Sequence, residues 1–489
     1  MSLNVKLNYQ VIAKILGIVT LIIGLFMLPA LFCAVFYGET ENIRALMISS
    51  GLTIATGSFV ILIVKPAKAR FRAREGYLVV ALCWLICSFF GALPYYFSDF
   101  TSSFTDSFFE SVSGFTTTGC TAMGIKIMPK ALLLWKAITH WLGGMGILVF
   151  AISILPALGI NAQLIARAET PGPVLEKMAV RMSDSAKILY LTYISLSLLE
   201  FILLCPFMTP FDSLINTMGS ISSGGLFAHP DGIAYYNSVA VEIIISVFTI
   251  LASINFILYH YAATGKWGYV ARDVELRSFL RIIIGAVLLC TLGLYFLGNY
   301  PNFFQALRDS FFQVVSMITT SGYSSADYTI WPAVCQMILF TLLFIGGCAA
   351  STSGSLKVIR VVVLLKLIGR GFYKRIHPRS VVAVKIGKKA VPALVVSEIT
   401  VFILMYMCLF LFSCLVLSLQ NLDLETTIST AASLLSNTGM AFGEVGSMGD
   451  YSIYSAPLKL YLSLLMIIGR LELFTIVILF TRSFWGKER

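Results

Sequence analysis

Long apolar stretches separated by short polar connections run along the whole 489-residue chain. Many of them hold about 20 residues, enough for a helix to cross a hydrocarbon core of about 30 Å. We predict two leading spans near residues 11–37 and 45–64, followed by eight more in pairs. The pairs are 77–97 with 131–159, 183–209 with 238–260, 279–299 with 333–366, and 392–420 with 457–484. This pattern is typical of an all-α polytopic membrane protein.

A segment between the two spans of each pair repeats four times without a gap. The copies read DSFFESVSGFTTTGCT from Asp106, DSLINTMGSISSGGLF from Asp212, DSFFQVVSMITTSGYS from Asp309 and TTISTAASLLSNTGMA from Thr426. Each copy has a glycine 13 residues after its start, and these are Gly119, Gly225, Gly322 and Gly439. Four copies in register predict four equivalent structural units.

The helical part of each copy is too short to span a membrane. A helix of about 10 to 12 residues reaches roughly 15 to 18 Å, which is half a bilayer. The polar pair at each start, such as Asp106 and Ser107, suits a helix N-cap. Asp106, Asp212 and Asp309 could equally make an outer mouth negative, and the sequence leaves both interpretations open. Since unpaired backbone at membrane depth is tolerated in protein or around a watery cavity, we predict four re-entrant loops around one central pore.

Two spans per repeat return the chain to the side on which the repeat began. We therefore predict two leading helices and four parallel helix–pore helix–helix repeats around an axis normal to the membrane. The predicted segments are 1–74, then the repeats 75–175, 176–275, 276–390 and 391–489. Much of the net charge of +11 lies in loops between repeats. This predicts cytoplasmic loops and termini and contact with anionic lipid, and it disfavours nucleic acid as a partner.

The residues around the shared glycines are candidates for binding a dehydrated cation. Rings of backbone carbonyl oxygens from four loops can replace a hydration shell, and glycine readily adopts the backbone angles required. Close helix packing also uses glycine and threonine, but it requires no such register. The predicted filter consists of Thr117, Thr118 and Gly119; Ser223, Gly224 and Gly225; Thr320, Ser321 and Gly322; and Asn437, Thr438 and Gly439.

The predicted span at 333–366 is too long for one crossing and contains ten consecutive small residues, 346–355. This favours an unwound intramembrane loop over a close-packed helix seam. The candidate residues of this loop are Gly346, Gly347, Ser351, Thr352, Ser353 and Gly354. Arg470 is a cation within the last span, where charge is costly. Such a residue usually faces a cavity or a partner, and the alternative is a structural ion pair with Glu472 or another carboxylate.

These residues resemble the Trk/Ktr/HKT potassium transporter superfamily, and most closely its bacterial TrkG/TrkH-type membrane subunits. The resemblance covers essentially the whole chain and includes the string RAETPGP from Arg167 to Pro173. It implies K⁺ uptake across a bacterial inner membrane, with K⁺ bound at the filter and Rb⁺ as a surrogate. In this family a serine in the first repeat is associated with Na⁺ transport, whereas this chain has Gly119.

The resemblance also implies that the small-residue loop and Arg470 form a gate below the filter. It implies a homodimer and a separate TrkA-like cytosolic ring that binds nucleotide, docks on the basic loops and regulates uptake. The second repeat departs from the family pattern, because Ser222 and Ser223 precede the two glycines and Leu226 and Phe227 follow them. This departure bears on ion selectivity.

A K⁺:H⁺ or K⁺:Na⁺ coupled symporter using the same pore remains an alternative function. Its candidate intramembrane carboxylates are Glu200, Glu242, Glu398 and Glu472. The sequence has no Walker loop, no nucleophile elbow and no dinucleotide fingerprint. Nothing in it points to an enzyme or to a covalently bound cofactor.

Overall fold

A computed structural model describes residues 7–64, 73–98, 100–101, 103–124, 127–146, 182–297, 300–387, 389–447 and 449–485. The string from Arg167 to Pro173 and residues 147–159 of one predicted span lie outside these ranges. Helices dominate the described part. Its small sheet is an antiparallel pair, β1 (Lys385–Ile386) and β2 (Lys389–Ala390).

The two leading spans form a hairpin that packs against the first repeat. Helix α1 (Tyr9–Phe26) continues past Met27 as α2 (Leu28–Tyr37), and α3 (Thr40–Ile63) returns beside α1. The two helices cross closely at Gly57, where an added Cβ would lie 2.6 Å from the Leu21 backbone nitrogen. A small residue is therefore required at this crossing.

Each repeat contains an outer helix, a short helix and an inner helix. The first repeat contains α4 (Ala73–Phe97), α5 (Phe104–Phe115) and α6 (Lys130–Gly144). The second contains α7 (Met182–Leu204), α8 (Pro210–Ile221), α9 (Val239–Ala252) and α10 (Phe256–Ala263), and α11 (Trp267–Arg272) follows. The third contains α12 (Val274–Phe296), α13 (Phe303–Ile318), α14 (Ala333–Leu343) and α15 (Val358–Ile376). The fourth contains α16 (Ala393–Leu417), α17 (Leu424–Ser436), α18 (Ala456–Arg470), α19 (Phe474–Val477) and α20 (Arg482–Trp485).

The inner helices break where longer spans were predicted. The second repeat bends by 92° between Val239–Ala252 and Phe256–Ala263, and the fourth bends by 110° between Ala456–Arg470 and Phe474–Phe480. Continuous spans at 238–260 and 457–484 are therefore wrong. In the second repeat Asn255 caps a new helix by accepting a hydrogen bond from the Ile257 N–H (3.0 Å). The predicted interruption of the third inner helix is confirmed, since α14 ends at Leu343 and α15 starts at Val358.

These breaks change the number of continuous spans. Within the described residues, five helices are long and apolar enough to cross a membrane, and counting each bent pair as one span gives seven. Two shorter apolar helices, Ile188–Leu204 and Ala333–Leu343, lie at positions where full spans were expected. The chain is a multi-pass membrane protein with two leading helices and four repeats.

The four short helices begin before the predicted caps. Their cap side chains belong to Ser103, Thr209, Asn302 and Asp423. Ser103 and Thr209 accept hydrogen bonds from the backbone N–H groups of Asp106 (3.3 Å) and Asp212 (3.1 Å). Caps at Asp106, Asp212 and Asp309 are therefore wrong, because these residues already lie inside the helices. The first-turn N–H groups need an acceptor upstream, which is what the cap supplies.

Candidate functional site

Each short helix ends in the same backbone turn. Thr117, Ser223, Thr320 and Asn437 all adopt the left-handed conformation, with φ of 56°, 57°, 55° and 57°. In the first repeat the Thr117 N–H donates to the Gly114 carbonyl (3.0 Å) and the Thr118 N–H to the Ser113 carbonyl (2.9 Å). The other three repeats make the same two bonds. This Schellman arrangement satisfies the last helix carbonyls and turns the chain away from the helix axis.

The shared glycines bring the four turns together in a closed ring. An added Cβ at Gly119 would lie under 3.0 Å from the Gly224 carbonyl oxygen, and one at Gly225 would be as close to that of Ser321. Gly322 meets the Thr438 carbonyl oxygen and Gly439 meets that of Thr118 in the same way. Each glycine thus faces the carbonyl of the residue that comes just before the shared glycine in the next repeat. The glycine of the fourth repeat faces the first repeat, so the ring is closed.

We call residues 117–119, 223–225, 320–322 and 437–439 the four-loop ring. All twelve residues predicted for the filter lie in it. Its side chains are almost fully buried, and the Thr118 and Thr438 hydroxyls bond to Thr116 and Ser436, both at 2.8 Å. These hydroxyls brace the loops from behind, and the oxygens that face the four glycines belong to the backbone.

In two repeats, a serine hydroxyl on the short helix donates a hydrogen bond to a backbone carbonyl just after the loop. Ser113 donates to the Cys120 carbonyl (2.7 Å), and Ser316 donates to the Tyr323 carbonyl (2.6 Å). The second repeat has Gly219 at this register. The hydroxyl of Tyr323 lies against Gly219 and donates to the Asn216 carbonyl (2.9 Å). A tyrosine from the third repeat therefore packs where the second repeat lacks the serine.

The residues 344–357 connect α14 to α15, and we call them the central loop. This loop packs directly on the four-loop ring. The Thr352 and Ser223 hydroxyls lie 2.7 Å apart, and the Gly354 N–H donates to the Thr320 hydroxyl (2.7 Å). An added Cβ at Gly354 would lie under 3.0 Å from the Ser436 carbonyl oxygen. The loop therefore touches three of the four repeats at the ends of their short helices.

The opposite side of the central loop is anchored to the second repeat and to α12. The Ser353 hydroxyl donates to the Ser253 hydroxyl (2.7 Å), at the break of the second inner helix. Glu275 on α12 accepts hydrogen bonds from the N–H groups of Ala349 (2.8 Å) and Ile359 (3.1 Å). The Lys357 ammonium donates to the Ser353 carbonyl. The bonds of Glu275 and Lys357 satisfy backbone groups in the non-helical segment and in the first turn of α15.

Arg470 joins the end of α18 to two other repeats. Its guanidinium donates to the Thr352 carbonyl (2.7 Å) and to the carbonyls of Gly143 (2.8 Å) and Gly144 (3.2 Å). Carbonyls at the end of a helix such as α6 lack helical partners and favour a cation. Glu472, one of the carboxylates considered as a partner of Arg470, forms an ion pair with Arg360.

The four carboxylates considered for ion coupling are dispersed. Glu200 accepts a hydrogen bond from the Ser220 hydroxyl (2.6 Å), Glu242 pairs with Arg308 (2.7 Å), and Glu398 is exposed. Within the described part of the chain, no hydrogen bond joins any of them to the four-loop ring. That part also contains no group of three or more histidine, cysteine, aspartate or glutamate side chains that could hold a metal ion.

A buried ion pair behind the first loop was missed from the sequence. Lys136 on α6 pairs with Glu110 on α5, and their side chains are 6% and 0% exposed. Glu110 also accepts a hydrogen bond from the Thr121 hydroxyl (3.0 Å), just beyond the loop. Two opposite charges in neighbouring apolar segments are the signal that could have identified the pair.

The fold and the ring define a class: a multi-pass membrane protein whose four repeats close one ring of buried loops. A family model described as TrkH, cation transport protein, matches residues 42–487. The chain therefore belongs to the TrkH family of cation transport proteins, and the resemblance seen in the sequence is confirmed.

Individual relatives match over nearly their full length. The Trk system potassium uptake protein TrkH of Halomonas elongata is 34% identical, covering 98% of this chain and 100% of the relative. The protein TrkG of Escherichia coli K12 is 30% identical, covering 98% and 99%. The crystal structure of the potassium transporter TrkH from Vibrio parahaemolyticus superposes with a TM-score of 0.87 at 32% identity, covering 98% of this chain and 100% of that one.

Proposed function

We propose that this chain takes up K⁺ across the bacterial inner membrane through the four-loop ring. The observation that carries the proposal is the closure of the ring, in which each glycine faces a backbone carbonyl of the next repeat. Four such loops supply oxygen ligands in place of water. The names of the relatives support K⁺ as the ion, and K⁺ is the transported substrate.

The central loop acts as the gate of this pathway. Thr352 and Gly354 bond to the ring on one side, and Arg470 bonds to Thr352 on the other. A guanidinium close to the path of a cation raises the barrier to its passage. Opening requires Gly346, Gly347, Ser351, Thr352, Ser353 and Gly354 to move away from the ring, together with release of Arg470.

A cytosolic partner and a second copy of the chain complete the proposed assembly. Lys374 and Arg375 end α15, and Arg379, Lys385 and Lys389 follow on an exposed surface. This basic surface suits a TrkA-like regulatory subunit that binds nucleotide, and by the positive-inside rule it supports a cytoplasmic position for both termini. The Trk system names of the relatives support a multi-subunit system. The membrane subunit forms a homodimer in this proposal.

The test is ⁸⁶Rb⁺ uptake into K⁺-loaded proteoliposomes, with external K⁺, Na⁺ and Li⁺ as competitors. We expect K⁺ to block uptake and Na⁺ to leave it largely unaffected. Gly119→Ser should weaken this discrimination, because φ is 80° at this position and the added Cβ meets the Gly224 carbonyl. Folded protein without cation flux, or with flux that does not distinguish K⁺ and is insensitive to Gly119→Ser, would contradict the proposal.

A coupled K⁺:H⁺ or K⁺:Na⁺ symporter is the second candidate function. Glu200 favours the proton-coupled form, because it is fully buried and its Oε2 atom has no hydrogen-bond partner among the described residues. The reversal potential of K⁺ flux separates the two functions. A potential set by the K⁺ gradient alone indicates a channel-like path. A shift with an imposed pH gradient that disappears in Glu200→Gln indicates proton coupling, and a shift with a Na⁺ gradient indicates Na⁺ coupling.

A further inference from the structure

The residue with left-handed backbone angles differs from loop to loop of the ring, and so do the partners of its side chain. The Ser223 and Thr320 hydroxyls bond to the central loop. The fourth repeat has Asn437 at this register, and its amide turns toward the first repeat instead. Its Nδ2 atom donates to the Thr118 hydroxyl (3.1 Å) and to the Met466 carbonyl (2.9 Å).

The hydrogen bonds around Asn437 have one consistent direction. The Thr116 hydroxyl donates to the Val112 carbonyl (2.7 Å), so its oxygen accepts from Thr118 (2.8 Å). The Thr118 oxygen in turn accepts from Asn437. The Met466 carbonyl requires a donor, which fixes the orientation of the amide. A continuous chain of bonds therefore runs from the fourth repeat into the short helix of the first.

This row of hydrogen bonds lies at the seam where the fourth repeat meets the first and closes the ring. Asn437 and Thr118 are 319 positions apart in sequence, and the Thr118 carbonyl is the one that faces Gly439. The side chain of Thr118 is fixed by Asn437 while its backbone carbonyl lies in the ring. The position of that carbonyl thus depends on the amide of the fourth repeat.

We propose that Asn437 is a positioning residue that determines ion specificity by fixing Thr118 at the closing seam. This inference rests on the proposed function, because it assumes that the ring selects K⁺. Selectivity in carbonyl rings depends on cavity size or on the number and field of the ligands, and both change if one carbonyl shifts. Removing the amide should therefore lower the preference for K⁺ over Na⁺.

The test variant is Asn437→Thr. Threonine already occupies the left-handed position at Thr117 and Thr320, so the backbone can accept it. The readout is the Na⁺ concentration that halves ⁸⁶Rb⁺ uptake divided by the K⁺ concentration that halves it. We expect this ratio to fall about fivefold to tenfold, which corresponds to the loss of one net hydrogen bond. A residue that only stabilises the fold would lower the yield of folded protein and leave this ratio unchanged.

A double-mutant cycle with Thr118 tests the bond itself. Thr118→Val removes the acceptor and should also reduce the ratio, while Thr118→Ser should retain more of it than Thr118→Val. The double variant Asn437→Thr/Thr118→Val should be no less selective for K⁺ than the less selective of the two single variants. Fully additive losses would overturn the inference.

The wild type separates this inference from the proposed function. If wild-type uptake does not distinguish K⁺ from Na⁺, the proposed function fails and the inference fails with it. If the wild type is selective and folded Asn437→Thr is equally selective, the inference alone fails. Size-exclusion elution and thermal unfolding of each variant in detergent establish that the comparison is between folded proteins.

Discussion

Glycine has two distinct uses along this chain, and the four ring glycines illustrate the stricter one. Gly322 combines a φ of 69° with a position at which an added Cβ would meet the Thr438 carbonyl oxygen. At Gly285 on α12, no atom of the described residues lies within 4 Å of an added Cβ. Substitution of Gly322 therefore strains both its own backbone and the loop of the fourth repeat, whereas the described structure leaves room for a side chain at Gly285.

Gly322→Ala should reduce ⁸⁶Rb⁺ uptake about tenfold or more, since backbone strain of this kind costs about 1–3 kcal/mol and the next loop must also move. Gly285→Ala is the matched control and should retain wild-type uptake, because alanine favours a helix interior. Uptake is measured per amount of folded protein. Equal uptake by the two variants would rule out the packing that closes the ring.

The ion pair between Lys136 and Glu110 yields a stability prediction. Glu110→Gln leaves the buried ammonium without its carboxylate, and breaking a buried pair costs about 3–5 kcal/mol. The midpoint of thermal unfolding in detergent, followed by tryptophan fluorescence, should fall markedly. The control is Glu398→Gln, whose side chain is exposed on α16. If both variants unfold at the wild-type temperature, the pair does not stabilise the first repeat.

At the scale of elements, the breaks in the inner helices bring the central loop, α6 and α18 together at Arg470. The guanidinium bonds to one carbonyl of the central loop and two carbonyls at the end of α6. Hydrogen bonds to charged groups contribute about 1.5–3 kcal/mol each. Arg470 therefore stabilises the arrangement in which the central loop contacts the ring.

Arg470→Gln should raise ⁸⁶Rb⁺ uptake by the membrane subunit alone, roughly tenfold, because the central loop loses charge-assisted bonds and the pathway loses a positive charge. Arg281→Gln, at an exposed position on α12, is the control for charge removal and should transport as the wild type does. Unchanged or lower uptake in folded Arg470→Gln would contradict the gating role of Arg470.

The sequence predicted some elements well and others poorly, for physical reasons. The register of Gly119, Gly225, Gly322 and Gly439 identified the ring because four copies reinforce one another. The break in the third inner helix was predictable from its run of small residues. The breaks at Ser253 and Leu471 were not, since the flanking segments have the apolar composition of continuous spans.

The caps of the short helices were predictable but were assigned too late, by three residues in the first, second and fourth repeats and by seven in the third, where the cap is Asn302. Ser103 with Asp106, and Thr209 with Asp212, follow the spacing of a capping box. The partners of Asn437 and Arg470 could not be derived in the same way. They depend on which repeats meet across the axis, and a single sequence does not specify which side chains lie within hydrogen-bond distance there.

At the scale of the whole molecule, the ring closes within one chain, because Gly439 faces Thr118. Each copy in the proposed homodimer should therefore transport independently. When wild type is co-reconstituted with the weakly active Gly322→Ala at constant total protein, uptake should fall linearly with the wild-type fraction. A steeper loss would mean that copies share a pathway or must act together.

The 319 positions between Asn437 and Thr118 also have a consequence during synthesis. Three quarters of the ring can be inserted while the last repeat is still on the ribosome, yet the first loop then has no neighbour on one side. The seam forms after the fourth repeat arrives, so an unfinished chain has no closed ring of carbonyls to admit ions selectively. The cell would thus complete the ion pathway and its selectivity in one final step of assembly.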